Sequence, residues 1–260
     1  MSGFVKKRIC LNTNRAFTTD KMTSSVTYHL PSLWLIPARG GSKGIPDKNI
    51  KPFCGESLVG RSISQALECA GPNDTIFVST DSDQIKCEAE KKGIEIPFLR
   101  PDELATDTAS TYSAIIHALR EFKKKKKEFE KVVLLQPTSP LRLKEDIVNS
   151  IDLWHPDIDM VVSVNLSKAN PYFNLFETDK DGFLKISKGT GDYTRRQDAP
   201  EVWVYNGAVY VMTVNSLLKG PMSGFRKIIP YHMPQSRSID LDTPEDWEIA
   251  ERIYKSLMPI

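Results

Sequence analysis

The sequence lacks several features that would point to particular classes of protein. Only four of its 260 residues are cysteine and only four are histidine. The histidines are scattered, and no Cys-x-x-Cys spacing occurs among the cysteines, which are Cys10, Cys54, Cys69 and Cys87. The pattern therefore gives no sign of a zinc site or of a disulfide framework. It fits a reducing compartment, and we expect a cytoplasmic protein.

The sequence also lacks a long apolar run and a large net charge. No run approaches the roughly 18 apolar residues of a membrane-spanning helix, and the formal net charge is only +2. Broad binding to nucleic acid needs more positive charge, so any recognition of an anion must be local. We therefore expect neither a nucleic-acid partner nor a membrane partner. The length allows one large domain with a sizeable core.

Residues 1–30 differ from the rest of the chain. They are rich in Ser and Thr, show no sustained apolar periodicity and contain one acid, Asp20, against five basic residues, which are Lys6, Lys7, Arg8, Arg15 and Lys21. The apolar segment of a secretory signal is missing, whereas the composition is compatible with a transit peptide. A disordered tail, or a start codon placed upstream of the true start at Met22, is the simpler interpretation. We place this leader outside the fold and expect its deletion to leave folding and activity unchanged.

Alternating strand and helix patterns predict an α/β fold. The first strand is the apolar run Leu33–Ile36, which is too short for a helix and is followed by Pro37. Further strands are predicted at 75–80, 94–99, 132–136, 160–164 and 207–214. Helices are predicted at 58–70, 82–92, 108–129, 144–154 and 243–257. Strands that alternate with helices form parallel, right-handed units, so we expect a mostly parallel sheet flanked by helices.

The alternation breaks between residues 166 and 204, where aromatic, polar and turn residues prevail. Asp181-Gly182 predicts a hairpin turn there. The aromatic side chains of this segment include Tyr172, Phe173, Phe176, Phe183 and Trp203. The segment is too short to bury them in a core of its own, so they need a partner surface. We interpret 166–204 as an insertion into a nucleotide-binding domain that consists of residues 31–165 and 205–260.

The segment after the first predicted strand suits a phosphate group. It contains three glycines together with Arg39, Lys43 and Lys48. Glycines let backbone N–H groups approach an anion closely, and the basic side chains neutralise its charge. The spacing matches neither the Walker P-loop nor Gly-x-Gly-x-x-Gly. An ordinary basic turn is the alternative interpretation.

Further polar segments fall at the carboxyl ends of predicted strands or beside them, at 79–83, 136–139 and 240–242. Ligands of an open parallel sheet collect at the carboxyl ends of its strands, so we expect these segments and the basic loop to converge. Asp240 and Asp242 are separated by one residue, and in an extended segment both can face one Mg²⁺ ion. A turn or helix-cap role is the alternative for this pair.

Taken together, seven motifs resemble those of the CMP-acylneuraminate synthetases, the cytidylyltransferases that activate sialic acids. The motifs are ARGGSKGIPDKN at 38–49, STDSD at 79–83, RPDELATDTAST at 100–111, LLQPTSPLR at 134–142, RRQDAP at 195–200, NGAVY at 206–210 and SIDLDTPED at 238–246. The resemblance extends over about residues 32 to 255. It implies a Rossmann-like fold of the nucleotide-diphospho-sugar transferase type. It also implies that 166–204 is a dimerisation arm and that the chain forms a homodimer or a dimer of dimers.

The resemblance implies transfer of CMP from CTP to the anomeric hydroxyl of a nine-carbon 2-keto-3-deoxy sugar acid, with release of pyrophosphate. The cofactor would be Mg²⁺, or alternatively Mn²⁺, held by Asp240 and Asp242. The implied catalytic residues are Arg39, Lys43, Asp240 and Asp242. The implied nucleotide-binding residues are Arg39, Ser42, Lys43, Lys48, Asn49, Arg100, Ala109 and Thr111. The implied sugar-binding residues are Gln136, Arg195, Arg196, Gln197, Asn206 and Tyr210.

Several alternatives stay open at this point. Phe173 stands where some members of the family carry a lysine, two positions after the proline that matches Pro171, so legionaminic, pseudaminic and Kdo acids are alternative substrates. A nucleotide-binding homologue without catalysis is a second alternative, although the acid pair and the complete basic loop argue against it. Arg100 could be an ordinary solvated residue, and we interpret the lysines at 123–127 as a solvated helix end. No general base is identified.

Overall fold

A mixed sheet of six strands forms the centre of the computed structural model, which describes residues 31–42 and 44–257. The predictions for residues 1–30 and for Lys43 lie outside the described residues. In chain order the strands are β1 (Ser32–Pro37), β2 (Pro52–Phe53), β3 (Glu56–Ser57), β4 (Thr75–Ser79), β5 (Lys131–Leu135), β6 (Met160–Leu166), β7 (Phe176–Thr178), β8 (Leu184–Ile186), β9 (Trp203–Thr213) and β10 (Ile228–His232). The helices are α1 (Leu58–Cys69), α2 (Asp83–Lys91), α3 (Thr111–Lys124), α4 (Lys144–Asp152), α5 (Val214–Lys219) and α6 (Pro244–Leu257).

The strand order β10-β6-β9-β5-β1-β4 confirms the predicted fold class. β1 pairs in parallel with β4 and β5, and β10 pairs in parallel with β6. β9 runs antiparallel between β5 and β6. It enters the sheet from the 167–202 segment, without the crossover helix that a parallel connection requires.

β1 lies between β5 and β4, with a strand on each side, and its sequence is an unbroken apolar run. Leu33, Trp34, Leu35 and Ile36 are each at most 1% exposed, as expected for a parallel strand that is covered on both faces. The indole N–H of Trp34 donates to Asp74 at 2.9 Å, so the polar atom of this buried ring has an acceptor.

Three element predictions need correction. No strand forms at 94–99, although Ile94 and Ile96 are buried as predicted for a strand. The Ile94 amide donates to the carbonyl of Ala89 in α2, and Pro97 has no N–H to donate to a neighbouring strand. The third helix is shorter than 108–129, because Ser110 caps its start and it ends at Lys124. The strand predicted at 207–214 begins earlier, at Trp203.

The hairpin predicted around Asp181-Gly182 is confirmed. β7 and β8 pair antiparallel on either side of it, and Gly182 has a φ of +86°. Phe176 is 53% exposed and Phe183 is 71% exposed, whereas Tyr172 and Phe173 are half-buried. The division of the chain into a nucleotide-binding domain and an arm stays a prediction.

A second hydrophobic cluster joins the basic loop to the C-terminal part of the described chain. It contains Ile45 and Phe53 from the early segment together with Leu241 and Trp247 from the late one. α6 begins next to it as predicted: the Asp246 amide donates to Thr243 Oγ1 at 3.2 Å, and the Thr243 amide donates back to the Asp246 carboxylate at 2.9 Å. This reciprocal capping fixes the chain just after the acid pair.

A search of the helices among the described residues finds none with the length and hydrophobicity needed to cross a membrane.

Candidate active site

A cavity of about 310 Å³ opens at the carboxyl ends of β1 and β5. It is lined by nine of the residues that the sequence predicts for the site, namely Arg39, Ser42, Lys48, Asn49, Arg100, Ala109, Thr111, Gln136 and Asp242. Four separate segments of the chain therefore meet where the sheet topology predicts a ligand. Lys43 lies outside the described residues.

Short contacts hold the basic loop above β1. The Asn49 side-chain amide donates to the Arg39 carbonyl at 2.9 Å, and the Gly40 amide donates to Asp81, beyond β4, at 3.0 Å. A Cβ atom on Gly44 would lie 2.3 Å from the carbonyl oxygen of Asp242. Only glycine at this position allows the loop to pack against the acid-bearing segment.

Two arginines line the cavity in different environments. Arg39 is half-buried and forms an ion pair with Asp107 at 2.6 Å. Arg100 is only 7% exposed, and its Nε donates to Ser79 Oγ at 3.0 Å, so the alternative of a solvated Arg100 is wrong. Burial lowers the pKa of Arg100 to about 10, Asp81 opposes this shift, and Arg39 adds to it. Arg100 is therefore still a cation at neutral pH.

The amino terminus of α3 forms another wall of the cavity through Ala109, Ser110 and Thr111. Ser110 caps the helix by accepting a hydrogen bond from the Ser113 amide at 3.1 Å. Free N–H groups and the helix dipole make such a terminus suitable for an anion. The sequence prediction omitted Ser110, although a serine directly before a periodic apolar segment is a recognisable N-cap signal.

The acid pair approaches the basic loop from the other side of the cavity. Leu241 is fully buried between Asp240 and Asp242. Both acids are exposed as whole residues, but the carboxyl group of Asp240 lies against Gly207. The Asp242 carboxylate lies 3.3 Å from Lys48 Nζ. Burial of the carboxyl group and the charge of Asp242 raise the pKa of Asp240, against a hydrogen bond from Thr138 and the charge of Lys48. The sequence prediction omitted Thr138, which also lines the cavity.

The two acids fit a divalent cation. Asp240 and Asp242 are separated by one residue, and the charge of Asp242 adds to the effect of burial in raising the pKa of Asp240. Residues 31–42 and 44–257 contain no group of three or more His, Cys, Asp or Glu side chains that could hold a metal. Mg²⁺ commonly uses only one or two protein carboxylates and takes its other ligands from substrate phosphates and water, so this donor set suits Mg²⁺.

An irregularity in β9 lies next to Gln136, which lines the cavity. The register between β6 and β9 shifts between Val162 and Val164, and Gly207 in the bulged part of β9 has a φ of +74°. A Cβ on Gly207 would lie 2.8 Å from Gln136 Oε1 and 3.7 Å from Asp240 Oδ2. The bulge therefore leaves room for the side chains of Gln136 and Asp240 side by side.

Asn206 and Tyr210, both predicted to serve the sugar site, are buried in β9. The Asn206 side chain accepts from Ser163 Oγ at 2.6 Å and donates to Ser238 Oγ at 2.9 Å. Asn206 thus ties β9 to the segment that leads to the acid pair. Burial, with smaller effects of Asp240 and Tyr205, raises the pKa of Tyr210 to about 12, so its hydroxyl stays protonated at neutral pH.

The remaining predicted sugar-binding residues lie elsewhere in the single chain. Arg196 and Gln197 line a different cavity of about 290 Å³, next to Ser167. Arg195 forms a two-pronged ion pair with Asp198, with distances of 2.8 and 2.9 Å. One chain therefore does not bring these three residues to the cavity of the basic loop.

Comparison with known proteins assigns the family. The model of the family described as cytidylyltransferase matches residues 33–253. The chain belongs to the cytidylyltransferase family. Within this family it is 33% identical over 224 residues to the CMP-N,N'-diacetyllegionaminic acid synthase of Legionella pneumophila, a match that covers 86% of this chain and 96% of that protein.

Another relative is the N-acylneuraminate cytidylyltransferase of Streptococcus agalactiae, at 34% identity over 217 residues. That match covers 82% of this chain and 51% of the relative, so the chain spans about half the length of that cytidylyltransferase. A solved structure of CMP:2-keto-3-deoxy-manno-octonic acid synthetase complexed with CTP has a TM-score of 0.64. It is 16% identical, covers 88% of this chain and 100% of its own, and supports the fold.

Proposed function

We propose that the chain transfers CMP from CTP to the anomeric hydroxyl of a sialic acid. The hydroxyl releases its proton to solvent and its oxygen bonds to the α-phosphorus, the bond from that phosphorus to the bridging oxygen breaks, and pyrophosphate leaves. The observation that carries the proposal is one cavity lined by Arg39, Lys48 and Asp242 together with the amino terminus of α3. The cations there face the place where a triphosphate would sit, and the amino terminus of α3 faces the place of the nucleoside.

Charge neutralisation and alignment supply the catalysis, because both reactants are anions. Arg39 and Lys48 hold the triphosphate, and Lys43 of the same loop is proposed to join them. The buried Arg100 and the residues at the start of α3 surround the nucleoside. The Gln136 side chain, beside Asp240, faces the acceptor sugar.

Asp240 and Asp242 are proposed to hold Mg²⁺, or Mn²⁺ in its place. When bound, the ion supplies Lewis-acid neutralisation of phosphate charge. The chain contributes two closely spaced carboxylates, one of which is fixed by Thr138. Lys48 contacts Asp242 at the same time, so the acid pair and the basic loop are aligned with each other.

The proposed sugar acid has one specific alternative. Legionaminic acid is the second candidate, because the Legionella relative is matched over 96% of its length. A pseudaminic acid cytidylyltransferase of Campylobacter jejuni is 28% identical over 226 residues. These relatives support a nine-carbon acid, ahead of the shorter Kdo, as the proposed substrate.

A homodimer and a cytoplasmic location complete the proposal. The exposed aromatic side chains of the hairpin, Phe176 and Phe183, support a partner surface on the arm. In a symmetric dimer, Arg195, Arg196 and Gln197 could then serve the site of the neighbouring chain. Cys54, Cys69 and Cys87 are free thiols, which suits a reducing compartment.

Release of pyrophosphate tests the function. The purified chain is incubated with Mg²⁺, CTP and, in separate reactions, N-acetylneuraminic, legionaminic, pseudaminic or Kdo acid. We expect pyrophosphate and a CMP-sugar with a nine-carbon acid, and much less product when UTP or ATP replaces CTP. Absence of product with every acid, from protein that still binds CTP, would contradict the proposed activity.

A further inference from the structure

Arg142 is a fully buried arginine behind the wall of the active-site cavity. Its exposed fraction is 0%, and it is among the largest side chains that are completely enclosed. Nη1 donates to the carbonyl oxygens of Gln136 at 2.6 Å and Ser139 at 3.0 Å. Nη2 donates to Ser62 Oγ of α1 at 2.6 Å. The guanidinium thus bridges the core helix and the turn that follows β5.

The positive charge of Arg142 has no carboxylate to balance it among the contacts of the described chain. Its three hydrogen bonds go to neutral oxygens, and its Nε has no hydrogen-bond partner there. Burial, with repulsion from Arg61, lowers the pKa of Arg142 to about 9, against the attraction of Asp146. A buried charge without an ion-pair partner is costly. The donors of Arg142 therefore need an explanation other than stability alone.

The turn at 136–139, whose carbonyl groups accept hydrogen bonds from Arg142, contacts both the cavity and the acid pair. Gln136, Pro137 and Thr138 line the cavity. The carbonyl of Thr138 accepts a hydrogen bond from the Leu241 amide at 2.8 Å, and the Thr138 side chain lowers the pKa of Asp240. The turn at 136–139 therefore links Arg142 with the acid pair through two successive contacts.

We propose that Arg142 is a positioning residue for the transfer reaction. It holds two carbonyl groups of the turn towards the core, so that the Gln136 side chain faces the acceptor and Thr138 fixes Asp240. Arg142 does not contact substrate. The inference rests on the proposed function for the identity of the acceptor, but the placement of the turn can be measured without turnover.

Arg61 offers a matched control on the same stretch of chain. It is 8% exposed, its Nε donates to the Pro140 carbonyl at 2.8 Å, and its guanidinium stacks on Tyr254 at 4.2 Å. Both arginines thus use a buried guanidinium to hold a backbone carbonyl. Arg61 holds the turn one residue beyond Ser139, outside the part that lines the cavity.

The experiment compares Arg142→Lys with Arg61→Lys. A lysine keeps the charge but loses the planar fork that reaches several acceptors at once. For Arg142→Lys we expect kcat to fall about 10- to 100-fold, because small displacements of reacting groups have effects of this size. The KM for the sugar acid and the Mg²⁺ concentration for half activity should rise, and the KM for CTP should change little. Arg61→Lys should lower the melting temperature but retain wild-type kcat.

Hydrogen exchange supplies a readout that does not depend on activity. The Leu241 amide, which donates to Thr138, should exchange faster in Arg142→Lys than in Arg61→Lys. Equal exchange and equal kinetic constants in the two variants would overturn the positioning role. If the wild type makes no product with any acid, the proposed function fails, and the exchange comparison still decides the role of Arg142.

Ser62→Ala is the second variant if Arg142→Lys does not fold. It removes the acceptor of Nη2 and leaves Arg142 in place. The same changes in sugar KM, Mg²⁺ dependence and Leu241 exchange are expected at smaller size. Wild-type behaviour of a folded Ser62→Ala variant in all three would count against the proposal.

Discussion

The Lys48 ammonium lies 3.3 Å from the Asp242 carboxylate and joins the basic loop to the acid pair. The side chain of Lys48 is 12% exposed and that of Asp242 is 75% exposed. An ion pair with such an open partner contributes at most about 1 kcal/mol to stability. The pair can therefore be exchanged for a metal ion or for phosphate without unfolding the site.

Asp242→Asn should separate catalysis from nucleotide binding. We expect a loss in kcat of about 100-fold or more, the size found when one electrostatic group of a reactive site is removed. CTP should still bind, because Arg39 and Lys48 remain, and the melting temperature should hardly change. Initial rates and calorimetric titration with CTP test this. Glu245→Gln, an exposed acid on α6, is the control, and near wild-type turnover of Asp242→Asn would contradict the assignment.

Asp240→Asn should make the protein more stable and inactive. Because the pKa of Asp240 is raised, the native protein keeps its proton at pH values where the unfolded chain has lost it. Stability therefore falls as the pH rises from the ordinary aspartate value of 3.8 through the raised one. The variant should melt at a higher temperature than wild type at pH 7, and this difference should vanish below about pH 4.

Magnesium should stabilise the wild type in the same experiment. An ion that binds the ionised carboxylates offsets their repulsion, so added Mg²⁺ should raise the melting temperature of wild type at pH 7. The same addition should have little effect on Asp240→Asn. Equal shifts for both proteins would argue against a metal at this acid pair.

Gly207→Ala should destabilise the protein by more than the cost of placing an alanine at a positive φ. The positive φ of +74° costs an alanine about 1–2 kcal/mol, and the contact of 2.8 Å with Gln136 adds about 1–3 kcal/mol of overpacking. Gly93 has a φ of +77° with no atom within 4 Å of an added Cβ, so Gly93→Ala measures the backbone cost alone. Chemical denaturation and the KM for the sugar acid distinguish the two; equal effects would exclude the packing argument.

The arm can be tested by complementation. Arg196→Ala and Asp242→Ala, each inactive alone, are mixed under conditions that allow subunits to exchange. If Arg196 serves the neighbouring chain, about a quarter of wild-type activity should return, since half of the dimers are mixed and each has one intact site. An active monomer in a sedimentation experiment, or no recovery after proven exchange, would refute sites shared between subunits.

Local signals in the sequence predicted the parts of the fold that depend on near neighbours. The buried run of β1, the glycine turn at Gly182 and the Thr243 cap of α6 are all determined within a few residues. The strand predicted at 94–99 failed because Ile94 and Ile96 have the right alternation, yet Pro97 and a contact with α2 decide the backbone. Apolar periodicity indicates which side chains are buried, but it does not determine which backbone groups form hydrogen bonds with each other.

The sequence could not reveal features whose partners lie far away along the chain. Arg100 is buried because Ser79, 21 residues earlier, accepts its hydrogen bonds. The hydrogen bond from Arg142 to Ser62 joins residues that lie 80 positions apart in the sequence. Resemblance to a family predicted nine of the residues that line the cavity. It gave no role to Ser110 and Thr138, which the fold brings into the same lining.

The contact between the basic loop and the acid segment has a consequence for biosynthesis. Lys48 Nζ donates to the carbonyl of Leu241, a residue 193 positions later. During translation the loop emerges early, and its counterpart leaves the ribosome only near the end of the described chain. Loop closure over such a distance is slow compared with local folding. Each newly made molecule therefore carries an unfinished candidate site until the segment that contains Leu241 has left the ribosome.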